Sequence, residues 1–160
     1  IAIALACDPA LLSADEPTTA LDVTIQAEIV ELVLELCRAK GTAVMMISHD
    51  LGLVARICNR VAVMYAGQIV EERGSTEIFT APAHPYTRGL VDALPRLGRR
   101  LERGQEKLTE IGGVVPAIRD FPQGCRFAPR CPRVTAECRA ARIPMTALTE
   151  EGRVRCLHHV

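Results

Sequence analysis

Two short apolar runs, each ending in groups able to do chemistry, flank one amphipathic segment. That arrangement restricts the chain more than any other feature. Ala10–Ala14 is apolar apart from Ser13 and runs into Asp15-Glu16-Pro17; Thr42–Ser48 carries no charge and runs into His49-Asp50. Between them Ile25, Ile29, Leu32 and Leu36 recur at helical spacing, with Glu28, Glu31, Glu35 and Arg38 on other faces. The pattern predicts a strand, a helix over Val23–Arg38 and a second strand, with Ile25, Ile29, Leu32 and Leu36 as the buried stripe. Asp22 is placed to cap the helix and Gly41 to end it. Both strands read as buried, the signature of an α/β layer.

Further along, Leu51–Cys58 reads as a short helix. Arg60–Ala66 and Ile69–Arg73 read as a hairpin turning at Gly67-Gln68. Ser75, with Glu77 behind it, opens another helix, and 85–94 and 97–108 have weak helical character. Beyond Gly112-Gly113 the chain is rich in Pro, Arg and Cys and poor in apolar runs, so it cannot bury much core by itself.

The net charge of zero conceals a division. Residues 1–94 carry 6 basic and 12 acidic side chains, residues 95–160 carry 13 and 7, and eight of the ten prolines follow Ala81. Charge and backbone character both change near 81–95, which places a boundary there. At 160 residues and 49% hydrophobic, a cored globular chain is expected rather than a disordered one. Charged residues interrupt every apolar run before the roughly 18 residues of a membrane span.

In open α/β sheets ligands collect at the carboxyl ends of strands, so Asp15, Glu16 and His49 are expected on one rim. Paired carboxylates and an imidazole there suit phosphoryl transfer to water: one carboxylate for a divalent cation, the other for the attacking water, the imidazole for a terminal phosphate. An isolated Asp-Glu-Pro is equally a polar strand end before a turn. The full string Leu11-Leu-Ser-Ala-Asp-Glu-Pro-Thr-Thr-Ala-Leu-Asp22, followed by Ile47-Ser-His49-Asp50, resembles the Walker B strand, D-loop and switch histidine of ABC-type ATPases. The resemblance implies ATP and Mg²⁺ as ligands, Asp15 as the Mg²⁺ carboxylate, Glu16 as general base, His49 at the γ-phosphate, and Asp22 at the interface between two nucleotide-binding subunits.

Arg60-Val-Ala-Val-Met-Tyr-Ala-Gly-Gln-Ile-Val-Glu-Glu72 and His84-Pro-Tyr-Thr87 look, more particularly, like the ATP-binding subunits of oligopeptide and dipeptide ABC importers, including their nickel-importing relatives. On that resemblance 1–80 is the carboxyl-terminal part of a nucleotide-binding domain, a partial P-loop NTPase sheet with flanking helices, and 81–160 is a small Cys-rich extension. Expected partners are permease subunits, a second ATPase subunit and, indirectly, an extracytoplasmic solute-binding protein, at the cytoplasmic face of the membrane. His84 is expected to be an ordinary loop histidine. The dipeptide Gly-Lys never occurs, so there is no G-x-x-x-x-G-K-[ST]. Nor is there a Ser-Gly-Gly signature. The sequence therefore reads as the carboxyl-terminal portion of such a subunit, weak in ATP binding by itself.

Cys125, Cys131, Cys138 and Cys156 form a second constellation, with gaps of five, six and seventeen residues. These match neither the usual structural-zinc spacing nor the bacterial ferredoxin run. Metal binding would nonetheless supply folding free energy that so core-poor a segment lacks. Several members of the importer family carry a [4Fe–4S] cluster on four such cysteines, and the resemblance implies one here; zinc, disulfides or free thiols are the alternatives, and His158 or His159 could replace a ligand. Cys7, Cys37 and Cys58 fall within apolar patterns and are expected to be small buried residues. Arg126, Arg130, Arg133, Arg139 and Arg142 lack interleaved stacking aromatics apart from Phe127. They are expected to balance thiolate charge rather than bind nucleic acid.

Two other function classes share some features. A DNA-repair-type ATPase uses a similar Walker B and D-loop but brings coiled-coil heptads or a zinc-hook Cys pair, which this sequence lacks. A non-catalytic metal-binding module would need only the tail.

Overall fold

A computed structural model describes residues 2–17, 22–94 and 110–159, with 23 and 24 by backbone alone. The helix expected over 97–108 and the Thr18–Leu21 part of the D-loop string lie outside the described residues. The chain is mixed α/β and divides into two compact units, Ile1–Leu53 and Val54–Val160.

In the first unit α1 (Ala2–Leu5) precedes β1 (Leu11–Asp15), α2 (Val23–Lys40) and β2 (Ala43–Ile47). β1 and β2 are parallel, in register from Leu11↔Ala43 to Asp15↔Ile47. The Asp22 carboxylate accepts the Ile25 N–H at 3.0 Å and so caps α2. At the other end Gly41 has φ +69° while Thr42 N–H reaches the Cys37 carbonyl at 2.8 Å, a glycine-terminated helix end.

The buried stripe of α2 differs from the expected one. Val30, Val33 and Cys37 are buried, with Cys37 and Val33 packing on Leu5 and Leu12, whereas Ile25, Leu32 and Leu36 are exposed and Ile29 is partly buried. The apolar arc of this helix is wide enough that periodicity admits more than one stripe, and packing against β1 selects among them. The strands, too, are covered on one face only. Leu12 is buried, but Leu11, Met45 and Ile47 on the opposite face are exposed. Cys7 is exposed rather than buried, Cys37 is buried and Cys58 lies between.

α3 (Leu51–Ile57) begins where the first unit ends. In the second unit β3 (Arg60–Tyr65) and β4 (Gln68–Gly74) form an antiparallel hairpin with a bulge at Val63/Met64. Tyr65 pairs with Gln68, so the two turn residues are Ala66 and Gly67, one position earlier than expected. Both have positive φ, +47° and +76°, as a primed hairpin turn requires. α4 (Ser75–Thr80) and α5 (Pro85–Asp92) follow.

The tail contributes more than expected. α6 (Glu137–Ala140), β5 (Thr146–Ala147) and β6 (Arg153–Val154) complete the unit, and β6 pairs with β4 to give the sheet order β3-β4-β6-β5. Phe127, in the Cys-rich segment, is buried with Val63, Tyr65, Val70 and Ile78. It meets Tyr65 edge-on at 5.1 Å and Tyr86 at 5.4 Å. The tail thus borrows the core of the hairpin, which offsets its own shortage of apolar residues. On the surface, Glu72 of β4 accepts Arg60 of β3 at 3.0 Å and Arg153 of β6 at 2.8 Å, tying three strands by charge.

Candidate functional site

Asp15 is the last residue of β1, opposite Ile47, the last residue of β2. Glu16 then departs from the strand with φ +42°, a left-handed conformation uncommon for a residue with a side chain and costing of order 1 kcal/mol or more. Its N–H still reaches the Ile47 carbonyl at 2.9 Å. That single bend lets the carboxylate meet an imidazole from the end of the other strand: Glu16 Oε1 lies 2.8 Å from His49 Nδ1. Both side chains are largely exposed, 44% and 80%, so solvent reaches the pair. Sequence reasoning put Asp15, Glu16 and His49 on one rim, and the structure brings Glu16 and His49 into contact there with Asp15 adjacent. Asp22 sits at the start of α2 as its cap.

The four tail cysteines are free thiols in the second unit. Cys125 N–H donates to the Cys138 carbonyl at 2.8 Å, and a Cβ on Gly124 would come within 2.2 Å of that same oxygen. A glycine is therefore needed where these two segments cross. Burial pushes the Cys125, Cys131 and Cys156 thiols up, and the charge of neighbouring thiols adds to this. Cys156 feels Cys131, Cys125 and Cys138 together, so all four lie within electrostatic reach of one another. Backbone N–H groups point at three of the sulfurs: those of Phe127 and Ala128 at Cys125, Arg133 N–H at Cys131 Sγ, 3.4 Å, and His158 N–H at Cys156 Sγ, 3.3 Å. Among the described residues no three His, Cys, Asp or Glu side chains stand close enough to hold a metal ion. His158 Nε2 contacts Thr135 Oγ1 at 3.0 Å, which in turn lies 3.4 Å from Cys138 Sγ.

Two of the arginines expected to balance thiolate charge bind backbone instead. Arg126 donates to the Ala66 carbonyl at 2.5 Å, and Arg130 donates to those of Gly112 and Ile111 at 2.8 and 2.6 Å. Both clasp backbone. The Arg133 charge favours the Cys131 thiolate, though burial, the largest cause, keeps that thiol raised.

Sequence reasoning missed Glu71. This β4 carboxylate is fully buried and accepts the N–H of Ala83 and of His84, each at 2.8 Å. His84 is in turn buried, not an ordinary loop residue: its Nδ1 accepts the Tyr86 N–H at 3.0 Å and caps α5, with Pro85 at the first helical position. Burial lowers its pKa to about 4. The strand register sets Glu71 opposite Val154, and Arg73 Nη1 lies 3.8 Å from Glu71 Oε1; in the sequence nothing separates this glutamate from its neighbour Glu72.

Residues 70–138 match the family described as the oligopeptide/dipeptide transporter C-terminal region. The chain is 54% identical over 152 residues to a peptide ABC transporter ATP-binding protein of Sinorhizobium fredii, covering 95% of this chain and 44% of that protein. It is 49% identical over 156 residues to the dipeptide transport ATP-binding protein DppD of Escherichia coli, covering 98% and 46%. To the oligopeptide transport ATP-binding protein AppD of Bacillus subtilis it is 48% identical over 157 residues, covering 98% and 46%. The chain spans about half the length of the curated relatives it matches. Along nearly all of its own length, and about half of theirs, the chain is homologous to the ATP-binding proteins of oligopeptide and dipeptide ABC importers.

Proposed function

We propose that the chain serves ATP hydrolysis in an ABC importer of peptides or a related small solute. The observation that carries this reading is the 2.8 Å contact of Glu16 Oε1 with His49 Nδ1 beside Asp15, at the carboxyl ends of two parallel strands. In it, Glu16 takes the proton of the attacking water, His49 holds Glu16 and reaches the terminal phosphate, and Asp15 carries the Mg²⁺. These residues fit Mg·ATP in kind, since two carboxylates and an imidazole supply an oxygen ligand, a base and a phosphate donor. When bound, Mg²⁺ neutralises charge on the phosphates. Asp22 lies at the interface with a second ATPase subunit. The sequence holds no phosphate-cradling Gly-Lys loop, so those backbone donors come from outside residues 1–160 and this chain alone turns over no ATP.

In this reading residues 1–80 are the carboxyl-terminal part of an ABC nucleotide-binding domain and 81–160 the Cys-rich extension. Permease subunits carry the solute path and a solute-binding protein feeds it; the chain sits against them at the cytoplasmic face. Among the described residues no helix is long and apolar enough to cross a membrane.

The tail is assigned a [4Fe–4S] cluster on Cys125, Cys131, Cys138 and Cys156. Four thiols sensing one another's charge, three of them with N–H groups aimed at sulfur, fit such a group in their chemistry.

ATP turnover and peptide uptake in membranes holding the complete transporter test the first assignment. Glu16→Gln is expected to reduce both at least 100-fold, and unchanged turnover would refute it. Anaerobic purification with iron and sulfide analysis tests the second. About four irons per chain, lost in Cys125→Ser and in Cys138→Ser, are expected; one zinc, or no metal, would refute it.

A further inference from the structure

The His49 side chain is 80% exposed. Holding an exposed ring on one partner costs conformational entropy, and a backbone already fixed beneath it reduces that cost. The fixation is visible on both sides of His49. Before it, the Ile47 carbonyl is taken by the Glu16 N–H at 2.9 Å, so the end of β2 is tied to the residue that His49 must meet. After it, two side chains close the turn. Asp50 N–H donates to Ser48 Oγ at 3.0 Å, spanning His49, and Asp50 Oδ1 accepts the Leu53 N–H at 3.1 Å, tying the turn to the first turn of α3. Gly52 leaves room for that carboxylate: a Cβ there would stand 3.3 Å from Asp50 Oδ1.

We propose that Ser48 and Asp50 are positioning residues, which hold the His49 imidazole on the Glu16 carboxylate by pinning the backbone on either side of it. Ser48 sets the turn and Asp50 anchors it to α3; neither touches the carboxylate. The significance of this for catalysis rests on the hydrolytic reading above, but the positioning itself does not. A purely structural role for Asp50, as a helix cap, would weaken α3 and leave the contact between His49 and Glu16 as it is.

Nitrogen-15 NMR of the histidine rings in the 160-residue chain separates the two. The His49 signals are assigned by their loss in His49→Gln, and Glu16→Ala gives the Nδ1 position without the carboxylate. Ser48→Ala and Asp50→Ala are each expected to move His49 Nδ1 at least half of the way to that position. Ser48→Thr and Asp50→Asn, which keep the accepting oxygen, are expected to stay near the parent value. An Nδ1 signal unmoved in both alanine variants, or unmoved in Glu16→Ala itself, would overturn the proposal. Should an alanine variant lose the amide signals of β1 and β2, Ser48→Cys replaces it. Its sulfur accepts weakly, so the same displacement is expected, and an unmoved signal overturns the proposal equally. In the complete transporter, turnover indifferent to Glu16→Gln would remove the hydrolytic reading and leave the ring displacements standing. Turnover that depends on Glu16 with no ring displacement in the Ser48 and Asp50 variants would do the reverse.

Discussion

Glu71 Oε2 accepts the backbone N–H of His84 at 2.8 Å, while its other oxygen accepts that of Ala83 at the same distance. A fully buried carboxylate on β4 thereby fixes the entry to α5, and the residue it fixes is the cap of that helix. Removing the carboxylate leaves two buried donors without acceptors. Glu71→Ala is expected to destabilise the second unit by about 3–5 kcal/mol. Glu71→Gln, which keeps one acceptor, should cost about half as much. Urea unfolding followed through Tyr65 and Tyr86 measures both, and a cost below 1 kcal/mol for Glu71→Ala would contradict the assignment.

Acid should weaken the same region through His84. Burial lowers its pKa from 6.5 to about 4. As pH falls below about 6.5 the unfolded chain takes up a proton that the folded chain refuses until about pH 4. Stability present above 6.5 is therefore lost across that window, by roughly 3 kcal/mol. Glu71 bonds the backbone of His84 and Phe127 packs near its ring. Glu72, held low chiefly by the hydrogen bond from Arg60, loses its contribution in a lower window. His84→Asn keeps a capping side chain without the titration. The difference in urea midpoint between pH 7.5 and pH 4.5 should shrink by more than half in that variant.

Gly124 stands where a Cβ would meet the Cys138 carbonyl at 2.2 Å and the Arg139 backbone at 2.9 Å. Gly124→Ala must push the Cys125 and Cys138 segments apart. It is expected to cost about 2 kcal/mol or more of stability. In anaerobically purified protein it should also lower iron per chain below half of the parent value. Full stability in urea would show that the two segments can separate freely.

Ala66 occupies the left-handed region at φ +47° in the hairpin turn. Asparagine tolerates that conformation better, and Asn-Gly is the favoured pair for a primed two-residue turn. Ala66→Asn is expected to stabilise by about 0.5–1 kcal/mol, seen as a higher urea midpoint with an unchanged slope. A lower midpoint would mean that the Arg126 bond to the Ala66 carbonyl governs this turn instead.

Local rules made much of the molecule legible. β1 and β2 ended where charge began, Asp22 capped α2, Gly41 ended it, and the hairpin fell between the expected runs. Each of these depends on residues within a few positions of one another, and so is written in short stretches of sequence. The gathering of Asp15, Glu16 and His49 was legible for a related reason: parallel strands put their carboxyl ends together whatever surrounds them.

What the tertiary structure decided is what depends on distant partners. The choice of Val30, Val33 and Cys37 over Ile25, Leu32 and Leu36 as the buried stripe followed from packing on Leu5 and Leu12, since the helix offered an apolar arc wide enough for either. The pairing of β6 with β4 and the burial of Phe127 against Tyr65 join residues more than sixty positions apart. The grip of Arg126 on the Ala66 carbonyl spans sixty positions. Glu71 is the clearest case. In the sequence it is one of two adjacent glutamates, equal in charge and propensity; strand alternation turns one inward to two backbone donors and the other outward to two arginines. The sequence by itself determined β1, α2, β2 and the hairpin, and that the ends of β1 and β2 bring Asp15, Glu16 and His49 to one rim, because those follow from local sterics and periodicity. Which glutamate is buried, and which face of α2 is covered, required the partner surfaces to be in place, because burial is a property of two surfaces rather than one.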